Sequence, residues 1–326
     1  MPEQCKRRSA GSLLGDGEST ENEKKMGQAK QRGSRDQRIS QAIARSAEVP
    51  AARELASARS RYATQWEISS LHFFESGYYD WMANAVDGRS KVLEIGCGVG
   101  YSTLTLAQRG HSIIVIDENP ICLKSTKERL EESGFSVTLH LRGHVENAPG
   151  ERYEISYGDA PDGSLADALL IEGDMLNDPT LREWLTQTHE FDAVVCWLLG
   201  THQYRGMECH FKDYGAADNF GFRILIQNST YELADTVLRP NGILHVVDRG
   251  GFLDNERVIA SIKESHREQA SVTSLVVENV DYLEYVEPDA HNAMQMVFTP
   301  PDNPIDGVDL SEQFPALIAV TSTKPV

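Results

Sequence analysis

Three glycines at alternate positions follow a short apolar run, and their spacing is the clearest chemical signal in the chain. The run Lys91–Ile95 leads into Gly96, Gly98 and Gly100, and a helix is predicted over 102–108. Glycine has no Cβ and reaches positive φ, so the backbone can turn sharply here and a ligand can lie against it. The unpaired N–H groups of a helix start can bind a carboxylate or a phosphate. We therefore predict a ligand-binding loop at this turn.

Acidic residues follow the next two apolar runs. Asp117 and Glu118 come directly after the run 113–116, and Asp174 comes shortly after the run 169–171. A carboxylate at such a strand end can accept hydrogen bonds from both hydroxyls of a ribose. The glycine spacing is GxGxG and differs from the GxGxxG of dinucleotide dehydrogenases. A nicotinamide-dependent dehydrogenase is therefore the least favoured interpretation.

In these features the chain resembles the class I (Rossmann-like) S-adenosylmethionine-dependent methyltransferase family. The segment 94–100 matches the glycine-rich motif of the family, 191–195 resembles its fourth strand, and 238–244 resembles the turn into its fifth. The resemblance extends over roughly residues 88–326. It implies a methyltransferase that uses S-adenosyl-L-methionine as cofactor and releases S-adenosyl-L-homocysteine.

The resemblance also assigns cofactor contacts to individual residues. Asp117 stands where the family binds ribose, and Asp174 stands where an acid meets the adenine amino group, with Met175 flanking the ring. For Glu94 two roles stay open, a structural cap of the glycine loop and a ligand contact. The expected cofactor-binding residues are Glu94, Gly96, Cys97, Gly98, Gly100, Asp117, Glu118, Asp174, Met175, Cys196 and Trp197.

The segment 196–202 follows the fourth predicted strand and should face the reactive methyl group, because ligands bind beyond the carboxyl ends of parallel strands. It lacks the Asn/Asp-Pro-Pro-Tyr/Phe signature of enzymes that methylate adenine or glutamine amide nitrogens, which disfavours those acceptors. An amine acceptor must be neutral, and an alcohol or phenol needs a base. His202 is the candidate catalytic base, and the alternatives are Tyr204, Glu208, His210 and Asp248.

Three functions remain open on the acceptor side. The first is methyl transfer to a nitrogen or oxygen of a small molecule. The second is methylation of a basic protein or peptide, with RNA less favoured, and the third is a non-catalytic module that binds S-adenosylmethionine for regulation. Aminopropyl transfer on a similar fold is disfavoured, because acids that could hold a polyamine are missing just after the fourth strand.

The elements that must position these residues alternate between strand and helix. The alternation predicts an α/β fold with a mostly parallel, doubly wound sheet. The resemblance implies that this sheet is seven-stranded and has an antiparallel C-terminal strand pair. We expect a disordered polar and basic tail over 1–37, a helical N-terminal extension over 38–87, and a Rossmann-like methyltransferase domain over 88–326. Runs at 137–145 and 152–157 predict an inserted hairpin near 135–160. The extension could form a lid through Tyr62, Trp66, His72 and Phe73, with simple packing as the alternative.

Composition limits the partners and the compartment. The net charge is −18, and residues 1–61 hold 13 Lys and Arg against 8 Asp and Glu, so a tail of +5 precedes a body of −23. An acidic body repels phosphate backbones, so we expect no duplex nucleic acid partner. Five cysteines without CxxC pairing, together with the absence of a long apolar stretch or an apolar secretory leader, favour a reduced cytoplasmic protein without a membrane partner. No metal site is expected, and the oligomeric state is not predicted.

Overall fold

The computed structural model describes residues 50–161, 166–188, 190–212, 219–296 and 308–326. The predicted tail over 1–37 and the first part of the predicted helical extension lie outside these residues. None of the described helices combines the length and the apolar character that crossing a membrane requires.

Strands and helices alternate along the described chain. The helices are α1 Pro50–Glu75, α2 Tyr78–Ala83, α3 Tyr101–Gln108, α4 Pro120–Glu132, α5 Pro179–Thr188, α6 Asn219–Val237 and α7 Glu256–Ala270. The strands are β1 Lys91–Ile95, β2 Ser112–Asp117, β3 Val137–His140, β4 Gly143–Ala148, β5 Arg152–Tyr157, β6 Ala168–Glu172, β7 Phe191–Trp197, β8 Leu238–Phe252, β9 Val276–Glu284 and β10 Phe314–Thr323.

One large sheet forms the centre of the described chain, with strands in the order β3-β6-β2-β1-β7-β8-β10-β9. The strands from β3 to β8 run parallel to their neighbours, and β10 pairs antiparallel with both β8 and β9. The predicted α/β class with an antiparallel C-terminal pair is confirmed. The carboxyl ends of β1, β2, β6 and β7 meet at one edge of this sheet, where parallel sheets place their ligands.

The predicted strand count of seven is wrong by one, because the run predicted as the first arm of the hairpin divides into two strands. Strand β3 joins the main sheet beside β6, and β4 pairs with β5 as a separate antiparallel hairpin. The division falls at Arg142 and Gly143, whose backbone N–H groups both donate to the Glu172 carboxylate, at 3.0 and 2.9 Å. Glu172 is the last residue of β6, and by accepting these two N–H groups it holds the chain away from the sheet after β3. The periodicity of the sequence contains no signal for this contact.

Both faces of the sheet are covered, since alternate residues of the central strands enter different apolar clusters. Val92 of β1 packs with the cluster that holds α2, α3 and α4, whereas Leu93 packs with the cluster of α5 and α6. Helix α6 has an apolar stripe that includes Phe222 and Ile226 at helical spacing. The doubly wound arrangement follows from these two clusters.

Helix α1 crosses the cofactor-side edge of the sheet. It begins at Pro50, which suits a first helical position, and it buries a stripe of small residues together with Trp66 and Phe73. The helix is tied to α4 by Glu67, which accepts two 3.0 Å hydrogen bonds from Arg129. It is separated from α2 by Gly77, at φ +74°. A long helix thus lies over the glycine loop that follows β1.

Candidate active site

The glycine loop adopts the backbone that its sequence predicts. Gly96, Gly98 and Gly100 have φ values of +80°, +51° and +92°. A Cβ on Gly98 would overlap the indole of Trp66, and a Cβ on Gly96 would lie 2.8 Å from the Leu199 side chain. The loop therefore needs glycine both for its turn and for the close approach of neighbouring side chains.

Glu94 lies beneath this loop and is fully buried. Its two carboxylate oxygens accept hydrogen bonds from the hydroxyls of Ser102, at 2.5 Å, and Thr103, at 2.6 Å. Burial raises the pKa of Glu94 to about 7, although these two hydroxyls act in the opposite direction. Of the two roles left open by the sequence, this geometry corresponds to the cap that joins strand β1 to helix α3.

Asp117 stands at the end of β2 and faces the glycine loop. Its carboxylate accepts hydrogen bonds from the backbone N–H of Gly98, at 3.2 Å, and of Asn119, at 2.8 Å. Burial, and then the neighbouring charge of Glu118, raise the pKa of Asp117 to about 7. The remaining lone pairs of this carboxylate are available to a ligand with hydroxyl donors.

The glycine loop and Asp117 line one cleft, together with side chains from α1, α2 and the segment after β7. The floor is the glycine loop with Asp117, one wall is the segment after β7, and Tyr62, Trp66 and Tyr79 bring three aromatic rings. Its lining is Tyr62, Trp66, Tyr79, Gly96, Cys97, Gly98, Ser102, Asp117, Glu118, Asn119, Trp197, Leu198, Leu199 and Gly200. Six of the eleven predicted cofactor-binding residues are in this set: Gly96, Cys97, Gly98, Asp117, Glu118 and Trp197.

Of the four residues that the sequence placed in a possible lid, Tyr62 and Trp66 line the cleft, whereas His72 and Phe73 do not. His72 Nε2 lies 2.8 Å from the carbonyl of Val286, and Phe73 packs edge-on against Tyr285. The latter two contacts join α1 to the C-terminal part of the sheet. Only the middle of α1 therefore faces the cleft.

A buried group of charges adjoins the cleft at Glu118. The Glu118 carboxylate lies 2.7 Å from Arg59 Nη2, 3.2 Å from His202 Nε2 and 3.6 Å from Arg205 Nη1. Burial by itself would raise the pKa of Glu118, but Arg59 and His202 hold it well below its ordinary value. Glu118 therefore stays ionised and links helix α1 to the segment after β7.

Asp174 belongs to this charged group and does not line the cleft. One of its oxygens lies 2.6 Å from Arg205 Nη2, and the other accepts the backbone N–H of Leu176 at 2.9 Å. Asp174 and Met175 line a separate cavity, together with Leu181 and Leu185. The sequence located this strand end correctly, but it contains no signal for the arginine that binds the acid.

Three further predicted residues lie outside the cleft lining. Glu94 is under the loop, Gly100 packs against Thr126, and Cys196 points to the opposite face of the sheet, into the α5–α6 cluster. The neighbouring Trp197 faces the cleft, as the alternation of strand side chains requires. Its indole N–H donates to His245 Nδ1 at 2.9 Å, and burial lowers the pKa of His245 to about 4.

His202, the predicted base, is 2% exposed and lies on the Glu118 side of the cleft rather than in its lining. Its Nδ1 has no hydrogen-bond partner among the described residues. Of the alternative candidates, Glu208 and His210 lie 3.9 Å apart, whereas Tyr204 stacks on Tyr153 and Asp248 accepts a 2.7 Å hydrogen bond from Gln227. The catalytic role of His202 stays a prediction.

Sequence reasoning missed the two buried arginines of the site, Arg59 and Arg205. Arg59 is 4% exposed within an Ala-, Arg- and Ser-rich helix, and Arg205 is 1% exposed within a short 3₁₀ turn, Arg205–Met207. Arginine in such segments is ordinarily solvated. Their partners are 59 and 31 residues away along the chain, so no local pattern could identify them.

Comparison with known proteins connects this cleft to a family. A family model for a methyltransferase domain matches residues 92–157, which run from β1 to β5. A curated protein of Methanobrevibacter smithii, described as a probable cobalt-precorrin-6B C(15)-methyltransferase (decarboxylating), is 34% identical over 58 residues. The match covers 18% of this chain and 31% of that protein, so the chain spans about a third of the length of the curated relative.

Similar solved structures include the N-methyltransferase NodS of Bradyrhizobium japonicum in complex with S-adenosyl-L-homocysteine, at 12% identity and a TM-score of 0.40, covering 78% of this chain and 88% of that chain. An rRNA methylase of Streptococcus thermophilus has 13% identity and a TM-score of 0.37, covering 76% of this chain and 95% of that chain. At these scores the structural likeness carries no argument of its own. Residues 92–157, which hold the glycine loop and Asp117, therefore belong to the methyltransferase domain family, and the predicted resemblance to the class I S-adenosylmethionine-dependent methyltransferases is confirmed for this part of the chain.

Proposed function

We propose that this protein is an S-adenosylmethionine-dependent methyltransferase whose cofactor occupies the cleft over the glycine loop. One observation carries the proposal: the loop, the strand-end acid Asp117 and three aromatic side chains line the same cleft. The residues fit such a cofactor, because the floor offers close backbone approach and the acid offers free acceptor lone pairs.

The polar residues of the floor would hold the cofactor. Asp117 would accept hydrogen bonds from the ribose hydroxyls, and the backbone of the glycine loop would lie against the amino-acid portion. When bound, the cofactor supplies a sulfonium-activated methyl group. The work left to the protein is alignment of the acceptor and exclusion of water.

We infer that the acceptor is a small molecule methylated at nitrogen or oxygen. Tyr62, Trp66 and Tyr79 come from helices α1 and α2 and cover the cleft, which favours an acceptor small enough to be enclosed. Burial raises the pKa values of Tyr62 and Tyr79 well above the ordinary tyrosine value, so both phenols stay neutral and can donate a hydrogen bond. The aromatic faces would also suit an amine acceptor with a cationic precursor form.

The test is a calorimetric titration of the purified protein with S-adenosyl-L-homocysteine, beside Asp117→Asn and Asp167→Asn. Asp167 is an exposed acid that lies outside the cleft and serves as the matched control. We expect the wild type and the control to bind S-adenosyl-L-homocysteine with micromolar affinity, and Asp117→Asn to bind it at least about tenfold more weakly. A folded wild-type protein that does not bind would contradict the proposal.

A basic peptide or protein is the second candidate acceptor, favoured by the charge of −23 on the body of the chain. In that case the basic tail and the acidic body would both contribute to docking. Deletion of residues 1–37 distinguishes the two acceptor classes, because a small-molecule acceptor should be turned over at an unchanged rate. A regulatory module without turnover would bind the cofactor in calorimetry and methylate nothing in a broad acceptor screen.

We also infer a cytoplasmic location, from five cysteines that follow no disulfide or zinc spacing. Cell fractionation tests this, and recovery of the protein with oxidised cysteines from a secretory fraction would contradict it.

A further inference from the structure

Unsatisfied polar atoms are concentrated beside the cleft. Among the described residues, eleven buried side-chain nitrogen and oxygen atoms have no hydrogen-bond partner, and seven of them belong to Tyr157, Thr201, His202, Arg205 and Glu208. Two of the seven, His202 Nε2 and Arg205 Nη1, lie near Glu118 without hydrogen-bond geometry. A buried polar atom without a partner is costly, so such a concentration indicates a site that a ligand completes.

Arg205 and Glu208 are two members of this group that lie close together in the chain. They stand three residues apart on a 3₁₀ turn, where side chains at that spacing share a face, and the Glu208 backbone N–H donates to the Arg205 carbonyl at 3.2 Å. Arg205 keeps two free donor nitrogens, Nε and Nη1, and Glu208 keeps one free acceptor, Oε2. The turn therefore presents donors beside an acceptor, with both side chains almost wholly buried.

Glu118 shows where this turn lies relative to the cleft, because Glu118 lines the cleft and its carboxylate also lies 3.6 Å from Arg205 Nη1. If Asp117 holds the ribose and the glycine loop holds the amino-acid portion, the nucleobase lies on the remaining side of the ribose. Glu118 is the next residue on from Asp117, and Arg205 lies directly beyond it. This step rests on the proposed function.

We propose that Arg205 and Glu208, rather than Asp174, recognise the polar edge of the cofactor's adenine. That edge places an amino donor beside a ring-nitrogen acceptor, which complements the Glu208 acceptor and the Arg205 donors. Asp174 holds Arg205 in place through the 2.6 Å ion pair and accepts the Leu176 N–H with its other oxygen. Asp174 is then a positioning residue for the arginine.

Glu208→Gln tests this assignment because its geometry is fixed by a neighbour. Asn177 Nδ2 donates to Glu208 Oε1 at 3.0 Å, so the glutamine carbonyl takes that position and its NH₂ group replaces the free Oε2. An acceptor thereby becomes a donor. The NH₂ group would oppose the adenine amino group and would suit the carbonyl of hypoxanthine, which occupies the same ring position.

Calorimetry would compare S-adenosyl-L-homocysteine with S-inosyl-L-homocysteine at about pH 8.5, where a carboxyl with the pKa of about 7 that burial gives Glu208 is ionised. We expect the wild type to prefer the adenine compound by at least about tenfold, and Glu208→Gln to reduce that preference by at least about tenfold. In the control Asp174→Asn, both affinities should fall by a similar factor, because only the support of Arg205 is altered.

Each outcome bears on a different statement. An unchanged preference in Glu208→Gln, or a change confined to Asp174→Asn, overturns the assignment and leaves the proposed function intact. Failure of the folded wild type to bind either compound overturns both.

If Glu208→Gln does not fold, as judged by its melting curve, wild-type protein alone decides the question. The 1-deaza and 7-deaza analogues of S-adenosyl-L-homocysteine each lack one of the two ring nitrogens that flank the adenine amino group. If Arg205 recognises a ring nitrogen, one of these analogues should bind at least about tenfold more weakly than S-adenosyl-L-homocysteine. If water fills this part of the pocket instead, both analogues should bind with unchanged affinity.

Discussion

Gly98→Ala offers the sharpest test of how helix α1 covers the glycine loop. The backbone at Gly98 has φ +51°, and a Cβ there would overlap the Trp66 indole. A positive φ costs an alanine about 1–2 kcal/mol. Overpacking against a buried aromatic ring adds about 1–3 kcal/mol, because the indole and its helix must shift.

Gly134→Ala is the matched control, since Gly134 has φ +89° and no atom within 4 Å of its added Cβ. Gly134→Ala therefore pays the free-energy cost of a positive φ but introduces no steric clash. Thermal melting followed by circular dichroism measures both variants, at roughly 2–4 °C for each kcal/mol in a domain of this size. We expect Gly98→Ala to melt clearly below Gly134→Ala.

A second background isolates the indole as the cause. In Trp66→Leu the ring that the Cβ would meet is gone, so the additional cost of Gly98→Ala should shrink toward that of Gly134→Ala. Equal melting temperatures of the two alanine variants would refute the contact between α1 and the loop. An undiminished penalty at Gly98 in the Trp66→Leu background would refute the role of the indole.

Three further expectations follow from the charges of the site. Affinity for S-adenosyl-L-homocysteine should fall at least about tenfold from about pH 8 to about pH 6, because burial raises the pKa of Asp117 to about 7 and the ribose needs the ionised form. In Asp117→Asn, calorimetry should find this fall in affinity smaller by a factor of about ten. The folded pKa of Glu94 also lies above its unfolded value, so the stability it confers is complete at low pH and is lost as the pH rises through about 7. Melting should therefore show a loss on the order of 1 kcal/mol for this one acid from about pH 6.5 to about pH 8, and this loss should be absent in Glu94→Gln. Arg59→Gln leaves the buried Glu118 without its strongest partner and should cost about 3–5 kcal/mol in denaturant unfolding, whereas Arg109→Gln, which breaks exposed ion pairs, should cost less than about 1 kcal/mol.

The parts of the site that the sequence predicted are those fixed by local backbone chemistry. The alternate glycines after β1 dictate the turn, and an acid directly after β2 must lie at the same sheet edge, so both were located from the sequence. In both cases the physical determinant lies within about ten residues of the feature it explains. The antiparallel C-terminal pair was expected from the family resemblance.

The parts that the sequence missed depend on partners distant in the chain. Asp174 was placed at the correct strand end, but its orientation is set by Arg205, a residue with no local signal. The division of the hairpin run into β3 and β4 is set by Glu172, which lies about thirty residues downstream. Cys196, which was expected among the cofactor contacts, lies on the other face of the sheet, because strand alternation sends only its neighbour Trp197 toward the cleft.

Helix α1 helps to cover the cleft but lies outside the segment that the family model matches. That segment, 92–157, supplies the floor of the cleft. Helix α1 approaches the floor at Gly98 through Trp66, and it approaches the wall after β7 at Gly200, where an added Cβ would lie 2.7 Å from the Tyr62 hydroxyl. A single helix thus contacts both the cofactor loop and the segment that should face the methyl group. We therefore expect acceptor choice and cofactor enclosure to be coupled through α1, so that a change in the small residues beneath it alters both at once.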